Sequence, residues 1–262
     1  KTHFAVESGF LFKTHAGTVK AVDGVSLDVM PGEVLGLVGE SGCGKSTLGR
    51  IVANIYPPSD GDVLYRNRNV ANLRGAEAQR HTRAVQMVFQ DPFASLNPRM
   101  RIDDIIGEAP VVHGLVAKNE AEELVDSYLA MVGLDSSAKD RFPHQFSGGQ
   151  RQRICIARAL AMEPELLIAD EAVSALDVSV QKQVLELLDE IRVRLNLAVL
   201  FITHDLRVAA QICDYVAVMS KGHVVEYGSA EQVFGSPKDD YTKALFAAAP
   251  GRNWEFGKFA TA

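Results

Sequence analysis

The segment Gly39-Glu40-Ser41-Gly42-Cys43-Gly44-Lys45-Ser46-Thr47 prescribes a chemistry more directly than any other part of the chain. Its pattern is G-x-x-x-x-G-K-S, with the apolar run Val34–Val38 before it and a helical pattern over Leu48–Ile55 after it. This is the strand–loop–helix setting that such a loop needs. Glycines let backbone amides approach phosphate oxygens with no Cβ in the way. The following helix adds free N–H groups and the positive end of its dipole. Lys45 brings a full positive charge to β- and γ-phosphates, and the Ser46 hydroxyl suits a Mg²⁺ ion. The loop predicts binding of a nucleoside triphosphate, with Cys43 contributing its backbone rather than its thiol.

Two further segments could act on the same substrate. Leu166-Leu167-Ile168-Ala169-Asp170-Glu171 is an apolar strand ending in two carboxylates. A buried strand of this kind can deliver acids to the sheet edge at which the phosphate loop also lies. Asp170 is placed to hold Mg²⁺, directly or through water, and Glu171 to orient or deprotonate an attacking water. A solvated acidic turn between strand and helix is the plainer alternative. Phe146-Ser147-Gly148-Gly149-Gln150 precedes a helical stretch at Arg151–Ala161. Ser147 suits an N-cap, and the glycines clear the backbone at a second helix start. That start lacks a lysine and a magnesium ligand, so on these residues alone an ordinary capped helix explains it equally well.

The elements that must position these groups are legible as an alternation. Strand-length apolar runs at Val34–Val38, Ala84–Phe89, Leu166–Ala169 and Val199–Thr203 alternate with helical patterns at Leu48–Ile55, Ala121–Val132 and Val180–Leu195. Leu124, Tyr128 and Met131 share one side of the second helix. Short apolar runs bounded by helices predict a parallel sheet covered on both faces. Tyr215–Ser220 and His223–Tyr227 flank Lys221-Gly222 and predict a hairpin. Between Phe93 and Leu160 the pattern is mostly helical, with Pro92, Pro98, Pro110 and Pro143 as breaks, which predicts a helical insertion.

Composition bounds the remainder. The chain has 262 residues, 47% hydrophobic and 23% charged, with net charge −6. A disordered, collagen-like or low-complexity chain is excluded. The acidic balance argues against a dedicated nucleic-acid or anionic-membrane binder. Cys43, Cys155 and Cys213 lie far apart without metal or redox spacing, which predicts reduced thiols in a cytosol. Charge-free stretches such as Leu195–His204 are too short to span a bilayer. No secretory signal opens the chain. It begins with Lys rather than Met, as a trimmed chain or part of a longer polypeptide would.

Taken in order, these motifs resemble those of the ATPase subunits of ATP-binding cassette (ABC) transporters. Gly39–Thr47 resembles the family's Walker A, Leu166–Glu171 its Walker B, and Phe146–Gln150 the signature segment that defines it. Gln90, after the strand Ala84–Phe89, is similar to the Q-loop glutamine. Ser174-Ala175-Leu176-Asp177 resembles the D-loop, and His204 in Ile202-Thr203-His204-Asp205 the switch histidine. Val88–Met100 and the signature helix most resemble ATPases of oligopeptide and dipeptide importers. The resemblance covers about Thr18 to Pro250.

The resemblance implies an α/β fold: a P-loop NTPase with a mostly parallel sheet, an antiparallel β subdomain and a helical insertion. One cassette would fill the chain, with residues 1–90 and 163–235 as core, 91–162 as helical subdomain and 236–262 as C-terminal helix and tail. It implies that ATP and Mg²⁺ are bound, Mg²⁺ by Ser46, Gln90 and Asp170. Lys45, Gln90, Glu171 and His204 would act in hydrolysis. Two ATPases would face head to tail, so that Ser147, Gly148, Gly149, Gln150 and Asp177 meet nucleotide held by the partner's Walker A. The expected partners are a second ATPase subunit, by preference a different one, two transmembrane permeases and an extracytoplasmic solute-binding protein. The expected location is the cytoplasmic face of the inner membrane. Importers of other small solutes (opines, nickel, glycosides) and non-transport ABC proteins use related cassettes.

There are departures from the family pattern. Ala172 stands where it usually has proline after the glutamate, which frees an N–H and relaxes the turn. The adenine-stacking aromatic falls at Phe12 or Phe10, with His15 as a further candidate in the local insertion Gly9–Gly17. No cysteine follows Cys213, so the iron–sulfur cluster of some relatives' tails is not expected. Asp239–Ala249 resembles the short helix that these proteins keep. Arg151 and Arg153 read as salt-bridging residues on a helix face.

Overall fold

The computed structural model describes residues 1–8 and 14–249. Phe10 and Phe12, the side chain of His15 and the tail 251–262 lie outside the described residues. Ten strands are described. They are β1 (Thr2–Ser8), β2 (Thr14–Val22), β3 (Val34–Val38), β4 (Leu64–Tyr65), β5 (Arg68–Asn69), β6 (Val85–Val88), β7 (Leu166–Asp170), β8 (Ala198–Thr203), β9 (Tyr215–Ser220) and β10 (His223–Ser229). The helices are α1 (Lys45–Val52), α2 (Gly75–Ala84), α3 (Pro92–Ser95), α4 (Ile102–Val112) and α5 (Ala121–Met131), followed by α6 (Gly148–Leu160), α7 (Val178–Leu195), α8 (Leu206–Ile212), α9 (Ala230–Gly235) and α10 (Asp240–Ala248).

The main sheet has the order β10-β9-β3-β8-β7-β6, parallel throughout except for the β9–β10 hairpin. Its strands look like unbroken apolar runs because both faces are covered. Along β8, Val199 and Phe201 enter one hydrophobic cluster while Leu200 and Ile202 enter the other; β3 divides in the same way. Register brings Val38 beside Thr203, and Asp170 beside Ile202. The loops leaving β3, β7 and β8 therefore emerge together at one sheet edge. A separate antiparallel pair, β1–β2, lies against α1.

Helices α3 to α6 pack on one another, and α6 also reaches β6 and α7. Ile106, Leu129 and Ile154 from this insertion belong to the same core cluster as Val199 and Phe201 of the sheet. The α5 stripe is displaced from expectation. Val125 and Leu129 are buried, whereas Leu124, Tyr128 and Met131 are half-buried against the core edge. The helix after the phosphate loop starts at Lys45 rather than Leu48, and the one after Asp177 at Val178 rather than Val180. The first turn begins at left-handed Gly44 in α1 and at the Asp177 side-chain cap in α7, and apolar spacing registers neither.

Candidate functional site

The phosphate loop joins β3 to α1, whose cap residue is Gly44. No side chain caps this helix, so none competes for its first-turn amides. Gly44 adopts φ 112°, and an added Cβ would strike the carbonyl oxygen of Ala21 on β2. The loop is thus held by close backbone packing as well as shaped to expose amides. The ammonium of Lys45 is buried and donates to the carbonyl oxygens of Gly39 (2.7 Å) and Glu40 (2.9 Å). The Glu40 amide donates to the Tyr241 hydroxyl at 3.3 Å, so α10 reaches the loop from behind.

A cavity of about 460 Å³ opens over the loop. It is lined by Ser41 to Thr47, by Val19, Lys20 and Ala21 of β2, by Gln90 and Glu171, and by Lys221-Gly222 of the β9–β10 turn. A second cleft of about 550 Å³ shares Ser46 and Gln90 and extends past Asp170 between Arg50 and Arg158.

Ser46 Oγ donates to Asp170 Oδ1 at 2.8 Å. Burial pushes the Asp170 carboxyl above its ordinary range, against the bond from Ser46 and the charges of Arg50 and Lys45. A hydroxyl and a desolvated carboxylate side by side form a hard oxygen pair suited to Mg²⁺. With a single carboxylate, the rest of the shell would come from uncharged oxygens such as the Gln90 amide and water, and from phosphate, as suits Mg²⁺.

Glu171 follows β7 in the left-handed region at φ 49°, uncommon for a side-chain-bearing residue. The turn is tied on both sides. Its amide donates to Ile202 O at 2.9 Å, and its carbonyl accepts from Ser174 N at 3.1 Å and Ser174 Oγ at 2.9 Å. Glu171 Oε2 accepts from Gln90 Nε2 at 2.8 Å and lies 3.3 Å from His204 Nδ1. Three residues from three separate loops therefore meet on one carboxylate oxygen. The arrangement can fix a water beside a phosphate and take its proton.

The second helix start lies elsewhere. Ser147 Oγ accepts from Gln150 N at 3.3 Å, and Gln150 Oε1 accepts from Ser147 N at 3.0 Å, a reciprocal capping box. Ser147 is exposed and Gly149 buried, where an added Cβ would strike Val180 of α7. Asp177 caps α7, accepting from Val180 N at 3.1 Å. None of Ser147, Gly148, Gly149, Gln150 or Asp177 lines the two cavities around the loop.

Two expectations fail here. Arg151 and Arg153 make no salt bridges among the described residues. Arg151 is buried, donates to Pro143 O (2.7 Å) and His144 O (3.3 Å), and covers the Phe93 ring. Arg153 donates to Val132 O at 2.9 Å. The acceptors are carbonyls of the 143–145 turn and of the end of α5, and a guanidinium has donors enough to serve several of them. Lys221, Tyr241 and Arg50 were not predicted at the site, because a hairpin turn, a C-terminal aromatic and a helix arginine carry no motif.

Comparison with known proteins decides what this edge belongs to. Residues 22–174 match the family model described as ABC transporter. The chain belongs to the ABC transporter family. It is an ABC ATPase, and it is 49% identical to the oligopeptide transport ATP-binding protein AppF of Bacillus subtilis (strain 168), over 95% of this chain and 76% of that one. It is also 49% identical to the oligopeptide transport ATP-binding protein OppF of the same organism, over 91% of this chain and 79% of that one. A dimeric post-hydrolysis structure of the ATP-binding cassette MJ0796, bound to ADP and Pi, superimposes with a TM-score of 0.74 at 27% identity. The match covers 84% of this ABC ATPase and 94% of that chain.

Proposed function

We propose that this ABC ATPase powers import of oligopeptides or dipeptides through separate permease subunits. The convergence of Gln90 and His204 on the Glu171 carboxylate, at the mouth of the phosphate-loop cavity, carries the ATPase part of this reading. The peptide part is supported by relatives named for oligopeptide transport. Lys45 and the amides of residues 39–47 hold the phosphates; Ser46, Asp170 and Gln90 hold Mg²⁺. Held by these residues, Mg²⁺ would supply positive charge to offset that building on the phosphate oxygens. Glu171 receives the proton of the attacking water, and His204 steadies the γ-phosphate side.

The exposed capping box at Ser147–Gln150, with Asp177, faces nucleotide held by a second ATPase subunit. The partition into 1–90 with 163–235, 91–162 and 236–262 then separates nucleotide-binding core, helical subdomain and C-terminal segment. Among the described residues no helix is long and apolar enough to cross a membrane, in keeping with a peripheral subunit docked on two permeases at the cytoplasmic face. An extracytoplasmic binding protein supplies the peptide.

The test is to capture the native complex from detergent-solubilised membranes and follow its ATP turnover. Two polytopic membrane proteins should co-purify, and a peptide-loaded binding protein should raise turnover several-fold. Recovery of ribosomes or a soluble enzyme complex instead would overturn the proposal.

A further inference from the structure

We propose that Lys221, at the tip of the β9–β10 hairpin, is a nucleotide-binding residue that holds the diphosphate common to ATP and ADP. The inference rests on the assignment of the loop cavity to nucleotide and adds a wall that no motif contains.

The turn forms part of the cavity lining, close against the end of β2. It is fixed there by backbone bonds. Gly222 N donates to Cys43 O of the phosphate loop at 2.9 Å, and Asp23 N donates to Gly222 O at 2.8 Å. Lys221 therefore keeps its distance from the loop whatever its own side chain does. It pays a conformational cost to stand there, since its φ of 45° lies in the left-handed region.

The cations around the cavity are not equally available. Lys45 is held by two loop carbonyls. Lys20 is paired with Asp23 Oδ2 at 3.2 Å, and the same carboxylate has His3 at 3.2 Å and His223 at 3.9 Å. Lys221 is exposed and has no hydrogen-bond or ion-pair partner among the described residues. An ammonium on a flexible stem beside an anion site will settle on the anion. Its place along the nucleotide follows from its anchor. The γ-phosphate end is marked by Lys45, Gln90 and Glu171, whereas the turn is bonded to Cys43, earlier in the loop. Lys221 should thus meet the phosphates that ATP and ADP share.

Nucleotide affinity of the full chain, measured by calorimetry with ATP, ADP and adenosine at low and high salt, tests this. Lys221→Glu should weaken ATP and ADP alike by about five- to tenfold at low salt, with the difference narrowing at high salt. Adenosine affinity should not change, and Lys221→Arg should match the parent. Lys221→Gly removes the charge while relieving the backbone, so about a twofold loss there reports the ammonium rather than misfolding. Lys45→Ala serves as the reference. If Lys45→Ala loses ATP while Lys221→Glu stays within twofold of the parent at low salt, the inference fails and the nucleotide site stands. If Lys45→Ala also binds normally, the phosphate-loop assignment itself falls.

Discussion

The glycine-bearing helix starts at Gly39–Thr47 and Phe146–Gln150 are treated oppositely by the structure. The first is concave: α1 has no side-chain cap, and a cavity of about 460 Å³ stands over it. The second is closed upon itself, with Ser147 and Gln150 capping each other and Gly149 wedged against Val180. Similar residue types thus yield one pocket and one plug. If, as proposed above, the second start meets nucleotide held by another subunit, a lone chain holds half of what clamping a triphosphate requires.

The widest separation between the two regions should appear in turnover. Glu171→Gln should still bind MgATP yet hydrolyse it at least about a hundredfold more slowly, as expected for loss of a positioned base. Ser147→Arg should also depress turnover, by about tenfold or more, while leaving the nucleotide affinity of the isolated chain unaltered. A drop in that affinity would show that the second helix start binds in cis and erase the contrast.

Stability gives the next effect. Gly149→Ala should cost about 1–3 kcal/mol in denaturant unfolding, because the new methyl meets Val180, and Val180→Ala should recover most of it. Unchanged stability of Gly149→Ala would leave the wedge without support. The smallest effect concerns the cysteines, one in each region. Cys155 on α6 is buried, and burial pushes its thiol up to about 11, so it should resist alkylation at pH 8 and yield only as the pH approaches that value. Cys43 lines the nucleotide cavity and should be the faster of the two, slowed by added ATP. Mass spectrometry of partially labelled protein reads both rates, and equal labelling would collapse the distinction.

What could be read from sequence followed how local each feature is. The phosphate loop is contiguous, so residue types and spacing sufficed. The strands were legible because both sheet faces bury them, leaving apolar runs that polar neighbours interrupt. Gln90 and Glu171 are 81 residues apart, and only the parallel register of β6, β7 and β8 puts them within 2.8 Å. Family resemblance could name both residues; spacing alone could not make them touch. Arg151 misled because a charge on a helical pattern reads as solvated, whereas its guanidinium serves carbonyls and an aromatic ring inside the fold. Lys221 and Tyr241 were invisible for the opposite reason: a turn residue and a tail aromatic look generic until the hairpin and α10 are seen to touch the loop.

The links from Asp23 through Gly222 to Cys43 run amide to carbonyl, without a side chain in either. They sew the small β1–β2 pair, the hairpin and the loop into a single rim whose outline does not depend on which functional groups project from it. Mutation can therefore retune the charge of this rim one position at a time, while the seam that spaces it persists.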